Sequence, residues 1–122
     1  MAALLEIDRS NTILYCQRWQ ETVAFYRDRL GLAEAFVSDW FVELRLSDGA
    51  YVSVADSARA TVASAGGGGL TLSWRVADAA ATRERLSAAG LAPQPLRRLA
   101  WGGRGFFLHD PEGHRIEVWS PS

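Results

Sequence analysis

The chain has 122 residues, 48% of them hydrophobic and five of them Trp, which is ample for one core and too apolar for a disordered segment. Its formal net charge is −1 and no basic stripe occurs, so binding to nucleic acid or an anionic membrane surface has no electrostatic basis. Cys16 is the sole cysteine, which excludes an intrachain disulfide and a cysteine-rich metal site. No run reaches the ~18 apolar residues of a membrane span. The opening MAALLEIDRS carries acidic residues where a signal peptide needs a basic region, and a cytoplasmic location is expected.

Residues 11–16 read as the first strand, with Leu14 and Cys16 on one side and Asn11, Ile13 and Tyr15 on the other. Cys16 lies in an apolar run and reads as a small buried thiol. Trp19, Val23, Tyr26 and Leu30 then recur at helical spacing, and Gly31 is a natural stop. Strands are expected at 33–38, 40–46 and 50–54, the last two joined by a turn at Ser47, Asp48 and Gly49. The next stretch is rich in Ala and Ser and ends in four glycines, Gly66 to Gly69; residues 59–69 read as a linker. No Gly-Lys-Ser/Thr follows, so the glycines are not a phosphate cradle. Residues 70–76 form the next strand, Asp78 caps a helix over 79–89 that Gly90 closes, and 93–98 is a weak strand. After a loop at Trp101, Gly102 and Gly103, two strands flank a tight turn made by Asp110, Pro111 and Gly113.

The order strand, helix, three strands thus occurs twice, and the expected fold is α+β: two βαβββ modules, 1–58 and 70–122, forming a curved mixed sheet around a central cleft. The glycines ending each helix align Leu14 with Leu72 to within one residue. The glycines of the last turns align Gly49 with Gly113, which equates Ser53 with Glu117 and Asn11 with Thr71. Leu14, Cys16, Val42, Leu44, Val52, Val54, Leu72, Trp74, Val76, Ile116 and Val118 share one apolar face, as a helix-covered face requires. The opposite face gathers Asn11, Tyr15, Phe41, Glu43, Tyr51, Ser53, Thr71, Ser73, Arg75, Glu117 and Trp119. Aromatics with a few convergent polar groups are what lines a small-molecule cleft, and these residues are the candidate ligand-binding set. Phe107 and His109, from the strand before the last turn, and Trp40 and Trp101 extend it; Trp19 and Trp74 read as core.

FYRDRLGL after a strand, VADAAATRERLSAAGL, and a late FFLHDPEGHRIEVW together resemble the vicinal-oxygen-chelate superfamily, the group of glyoxalase, bleomycin-resistance proteins and extradiol dioxygenases. The resemblance spans essentially the whole chain and implies the same two-module fold, and a homodimer as in many relatives. In metal-using members the ligands occupy four equivalent positions, usually as His, Glu or Gln. The resemblance places these positions at Asn11, Ser53, Thr71 and Glu117, and only Glu117 is a strong ligand for a divalent metal. No metal cofactor is therefore expected. His109 leans towards the cleft by parity, and His114 takes the usual place of a polar residue at a strand start.

Glu117 has two readings. An arginine of the same face, Arg75, Arg115 or Arg45, neutralises it, so that it shapes the pocket or meets a cationic ligand; or its pKa is raised and it is a catalytic general base. The leading function is a metal-free protein that captures an aromatic or amphipathic small molecule, resembling the branch that sequesters antibiotics. The rival is an enzyme, a lyase, isomerase or dioxygenase, using a metal or Glu117. A structural or regulatory partner protein finds no support beyond dimerisation.

Overall fold

In the computed structural model, which describes residues 3–121, the chain divides between Ser64 and Ala65 into two units of like topology, module 1 and module 2. Module 1 contains β1 (Ser10–Cys16), α1 (Trp19–Ala24), β2 (Glu34–Val37), β3 (Phe41–Ser47) and β4 (Ala50–Asp56). Its four strands form one sheet in the order β1-β4-β3-β2, with β1 parallel to β4 and the other pairs antiparallel. Module 2 contains β5 (Thr71–Arg75), α2 (Ala79–Ala88), β6 (Arg97–Arg98), β7 (Arg104–His109) and β8 (Arg115–Ser120), with sheet order β5-β8-β7-β6. The architecture is α+β, two βαβββ modules each with its own mixed sheet.

Alternation decides the faces. In module 1, Leu14, Cys16, Val42, Leu44, Val52 and Val54 are all buried, with Val23, Phe25 and Tyr26 of the helical segment among the same core residues. In module 2 the equivalent face buries Leu72, Phe106, Leu108, Ile116 and Val118. The ladders pair Ile13 with Ser53 and Ser73 with Glu117, so Ser53 matches Glu117 and Asn11 matches Thr71, as the turn glycines imply. The same pairing matches Leu14 to Trp74, two residues from the alignment based on the helix-ending glycines. Helix ends are a looser ruler than a β-ladder, whose register is specified by side-chain parity.

The first helix is shorter than its apolar spacing suggests. After Ala24 it widens into a π-turn over Phe25–Arg29, closed by the Leu30 N–H donating to the Phe25 carbonyl at 2.9 Å. The extra residue in that turn brings the adjacent Phe25 and Tyr26 both inward, their rings edge to face at 5.0 Å. Gly31, at φ 76°, then lets the Leu32 N–H reach back to the Tyr26 carbonyl. In module 2 the Asp78 side chain accepts from the Ala81 N–H at 3.1 Å and caps α2, while the Ala79 N–H donates to the Ser120 hydroxyl at 3.0 Å.

The weak strand expected at 93–98 shrinks to Arg97 and Arg98. Pro93 and Pro95 have no N–H for a ladder, so before β6 the Gln94 N–H reaches β7 by donating to the Phe107 carbonyl at 2.8 Å, and the Arg83 guanidinium donates to the carbonyls of Pro93 and Gln94. The glycine run does not hang free. Gly67 is buried, and a Cβ there would lie 2.2 Å from the carbonyl carbon of Gly113, so two stretches of bare backbone pack against each other over the last turn. That turn is built on Asp110, which accepts from the N–H groups of Glu112, Gly113 and His114 and lies 2.8 Å from Nδ1 of the buried His114.

Candidate ligand-binding site

On the uncovered face of the module 1 sheet, the ladder sets Ile13, Ser53, Glu43 and Phe36 in one row across the four strands. Glu43 therefore sits mid-sheet and is buried. A carboxylate in that place needs donors. Arg9, just ahead of β1, provides one at 2.5 Å and the Asn11 side-chain amide a second at 3.2 Å. Ser53 in turn donates to the Asn11 side-chain oxygen at 2.8 Å, and the Arg9 guanidinium lies over the Tyr51 ring at 3.7 Å. Asn11, Glu43, Tyr51 and Ser53 are thus gathered into one network by Arg9, whose own pKa is raised chiefly by its hydrogen bond to Glu43.

Beside this network lies a cavity of about 350 Å³ lined by Ile13, Tyr15, Trp40, Phe41, Arg59, Ala60 and Thr61. Trp40 and Phe41 meet edge to face at 5.5 Å, and Phe36 extends the aromatic strip at 6.3 Å from Phe41. Arg59 ion-pairs with Asp39 at 2.8 Å, which holds the Asp39 carboxyl below its ordinary range. Arg59, Ala60 and Thr61 follow β4 in a stretch with no periodic signal, so sequence reasoning had nothing to find them by. Arg9 precedes the first readable strand and was missed for the same reason. Trp19 lines a separate, polar depression and donates its indole N–H to the Val54 carbonyl at 2.8 Å.

On the corresponding face of module 2, Ser73, Glu117 and Phe107 form a row across β5, β8 and β7. Glu117 is half-buried and accepts from the Ser73 hydroxyl at 2.7 Å. Within its own module, and among the described residues, no arginine stands at ion-pair distance from it. Arg115 donates instead to the Thr71 hydroxyl at 3.0 Å and lies over the Phe107 ring at 4.4 Å, while Arg75 lies over Trp119 at 5.9 Å. Neither expected partner from this module neutralises Glu117. Trp101 is exposed, its ring against Gly103 and edge-on to Trp119 at 4.7 Å. His109, opposite Arg115 at the strand end, is exposed.

The donor chemistry of the four positions at which the resemblance places metal ligands follows from these contacts. Asn11 and Ser53 satisfy each other, Thr71 already accepts from a guanidinium, and Glu117 is the one anionic donor. Among the described residues no group of three or more His, Cys, Asp or Glu is placed to hold a metal ion. This donor set does not fit a catalytic divalent metal.

The profile of the Glyoxalase/Bleomycin resistance protein/Dioxygenase superfamily matches residues 9–118. The chain belongs to this superfamily. Solved structures of the superfamily fold align over nearly its full length. A lactoylglutathione lyase from Agrobacterium tumefaciens superposes with a TM-score of 0.74 at 22% identity, covering 90% of each chain. A glyoxalase/bleomycin resistance protein/dioxygenase from Nocardioides gives 0.78 at 19% identity, covering 98% of this chain and 85% of the other. A protein of unknown function from Agrobacterium tumefaciens str. C58 gives 0.71 at 28% identity, covering 98% and 96%. No curated protein matches the sequence. No helix among the described residues is long and apolar enough to cross a membrane.

Proposed function

We propose that this superfamily member is a metal-free small-molecule-binding protein that captures an aromatic or amphipathic ligand, with antibiotic sequestration as its biological use, acting as a cytoplasmic homodimer. The observation that carries this reading is the cavity of about 350 Å³ walled by Tyr15, Trp40 and Phe41. Planar ligands bury large area on such rings, and edge-to-face geometry adds about 0.5–1.5 kcal/mol per aromatic pair. The donor set at Asn11, Ser53, Thr71 and Glu117 supports the metal-free half of the reading. The test has two arms. Elemental analysis after incubation with Ni, Zn, Fe, Mn and Mg and desalting should find no stoichiometric metal; one metal per chain would displace this reading in favour of an enzyme. Planar aromatic compounds should quench Trp40 fluorescence saturably, and a Trp40→Phe variant should lose that signal.

One observation favours a second reading. Glu117 has a hydroxyl rather than a cation as its partner in module 2, so its carboxylate keeps free lone pairs. As a general base it would take a proton from an acidic carbon or hydroxyl of a bound substrate, in a metal-free lyase or isomerase reaction. The activity named for the Agrobacterium tumefaciens lyase makes lyase chemistry the first to assay. Turnover abolished by Glu117→Gln, with ligand affinity retained, would establish it.

A further inference from the structure

The two modules handle their arginines differently. In module 1, Arg9, Arg18, Arg27, Arg45 and Arg59 each stand against a carboxylate. In module 2, among the described residues, Arg75, Arg97 and Arg115 have aromatic rings as neighbours and no carboxylate within ion-pair distance inside the module. All three project from the sheet face away from α2. Arg115 and Arg97 both lie over the Phe107 ring, at 4.4 and 5.5 Å, because each is a diagonal cross-strand neighbour of that residue. Arg115 spends its Nε–H on Thr71 and keeps both terminal nitrogens for a further partner. The face also holds Glu117 and His109. One carboxylate against three guanidiniums leaves it positive.

Stacking on a ring fixes a guanidinium in place without cancelling its charge, and a fork of N–H donors held in that way matches a carboxylate or phosphate. We infer that the module 2 face carries an anion subsite built on Arg97, Arg115 and Phe107, and that the ligand of this protein is an aromatic compound bearing a carboxylate or phosphate group. This rests on the capture reading above and narrows it by adding an anionic group to the ligand. The preference is opposite in sign to the cationic ligand that an isolated cleft glutamate would suggest.

The experiment is calorimetric titration of the intact protein with a matched series: naphthoate, naphthyl phosphate, neutral naphthol and naphthylmethylammonium. At low salt, one or both anions should bind about tenfold or more tighter than naphthol, with the advantage falling as salt rises. The tighter anion identifies the group. Arg97→Gln and Arg115→Gln should each remove most of that advantage and leave naphthol affinity unchanged. Arg98→Gln, next in sequence but on the reverse face of β6, should alter neither. If naphthol binds as tightly as the anions, or the ammonium binds best, the anion subsite is refuted while aromatic capture stands. If no member of the series binds, both fall. The wild-type series decides without any variant, so a poorly folding variant cannot mask the result.

Discussion

Two glutamates occupy matching sheet faces, and the structure assigns them different work. Glu43 is buried mid-sheet and holds together Arg9 and Asn11, with Ser53 fastened to Asn11 behind it. Removing its carboxylate strands the Asn11 amide and breaks the network at its hub. A buried donor left without a partner costs about 1–3 kcal/mol, and half-buried Asn11 falls at the low end of that range. Glu117 loses one hydroxyl hydrogen bond when truncated, worth about 0.5–1.5 kcal/mol, and part of that is returned by water because the residue is only half-buried. Glu43→Ala should therefore lower the urea midpoint by about 1 M, taking a slope of about 1–3 kcal/mol/M, and Glu117→Ala by a small fraction of that. Ligand affinity should respond in the reverse order per unit of stability lost. A Glu117→Ala protein that unfolds more readily than Glu43→Ala would show that Glu117 is a structural group, and the general-base reading would fail.

Other expectations follow from the core and the turns. Leu72→Ala, at a buried position on β5, should cost about 2–5 kcal/mol by chemical denaturation; a cost below about 1 kcal/mol would mean the covered face is misassigned. Gly67→Ala should destabilise far more than Gly66→Ala. A methyl at Gly67 overlaps the Gly113 backbone, whereas at Gly66 it meets nothing within 4 Å and only the left-handed backbone, about 1–2 kcal/mol, opposes it. Equal melting temperatures for the two variants would contradict the docking of the glycine run. Asp39 is held below its ordinary pKa by Arg59, so the pair contributes stability above the unfolded value of 3.8 and loses it as pH falls through the folded value. Asp39→Asn should therefore be less stable than wild type near neutrality and converge with it in strong acid. A difference independent of pH would refute that pairing.

Much of this was legible in the sequence because β-structure has a period of two. Ile116 and Val118 against Glu117 and Trp119 predict buried and uncovered faces, and β1, β5 and β8 show that alternation, whereas β2 and β6 are exposed throughout and β4 buries four residues in a row. What escaped was information that periodicity does not carry. Phe25 was hidden because a π-turn breaks helical spacing. The 93–98 segment read as extended because Pro and apolar residues tolerate that conformation, yet the two prolines that allow it also deny it a ladder. The partner of Glu43 was invisible because Arg9 precedes the first patterned residue. Parity correctly places Arg75 and Arg115 on the face of Glu117 but cannot choose between a carboxylate and an aromatic ring as their neighbour.

That last choice explains why one of two matching positions is chemically distinctive. Ser53 and Glu117 are equivalents in the repeat, yet Ser53 is fully buried and bonded within a closed network, whereas Glu117 is half-open beside a single hydroxyl. Module 1 has used its polar groups to satisfy one another, and what remains available there is aromatic surface. On its uncovered face module 2 leaves one carboxylate and three guanidiniums supported by rings and hydroxyls rather than by each other. Groups that neutralise one another stabilise a fold but have little left for a ligand, because any new bond must first break an old one. On this argument the uncommitted charges of module 2 are the place to look for recognition of a charged group. Exchanging Ser53 for Glu would place a second carboxylate beside Glu43, and the repulsion should cost stability without creating a second functional group.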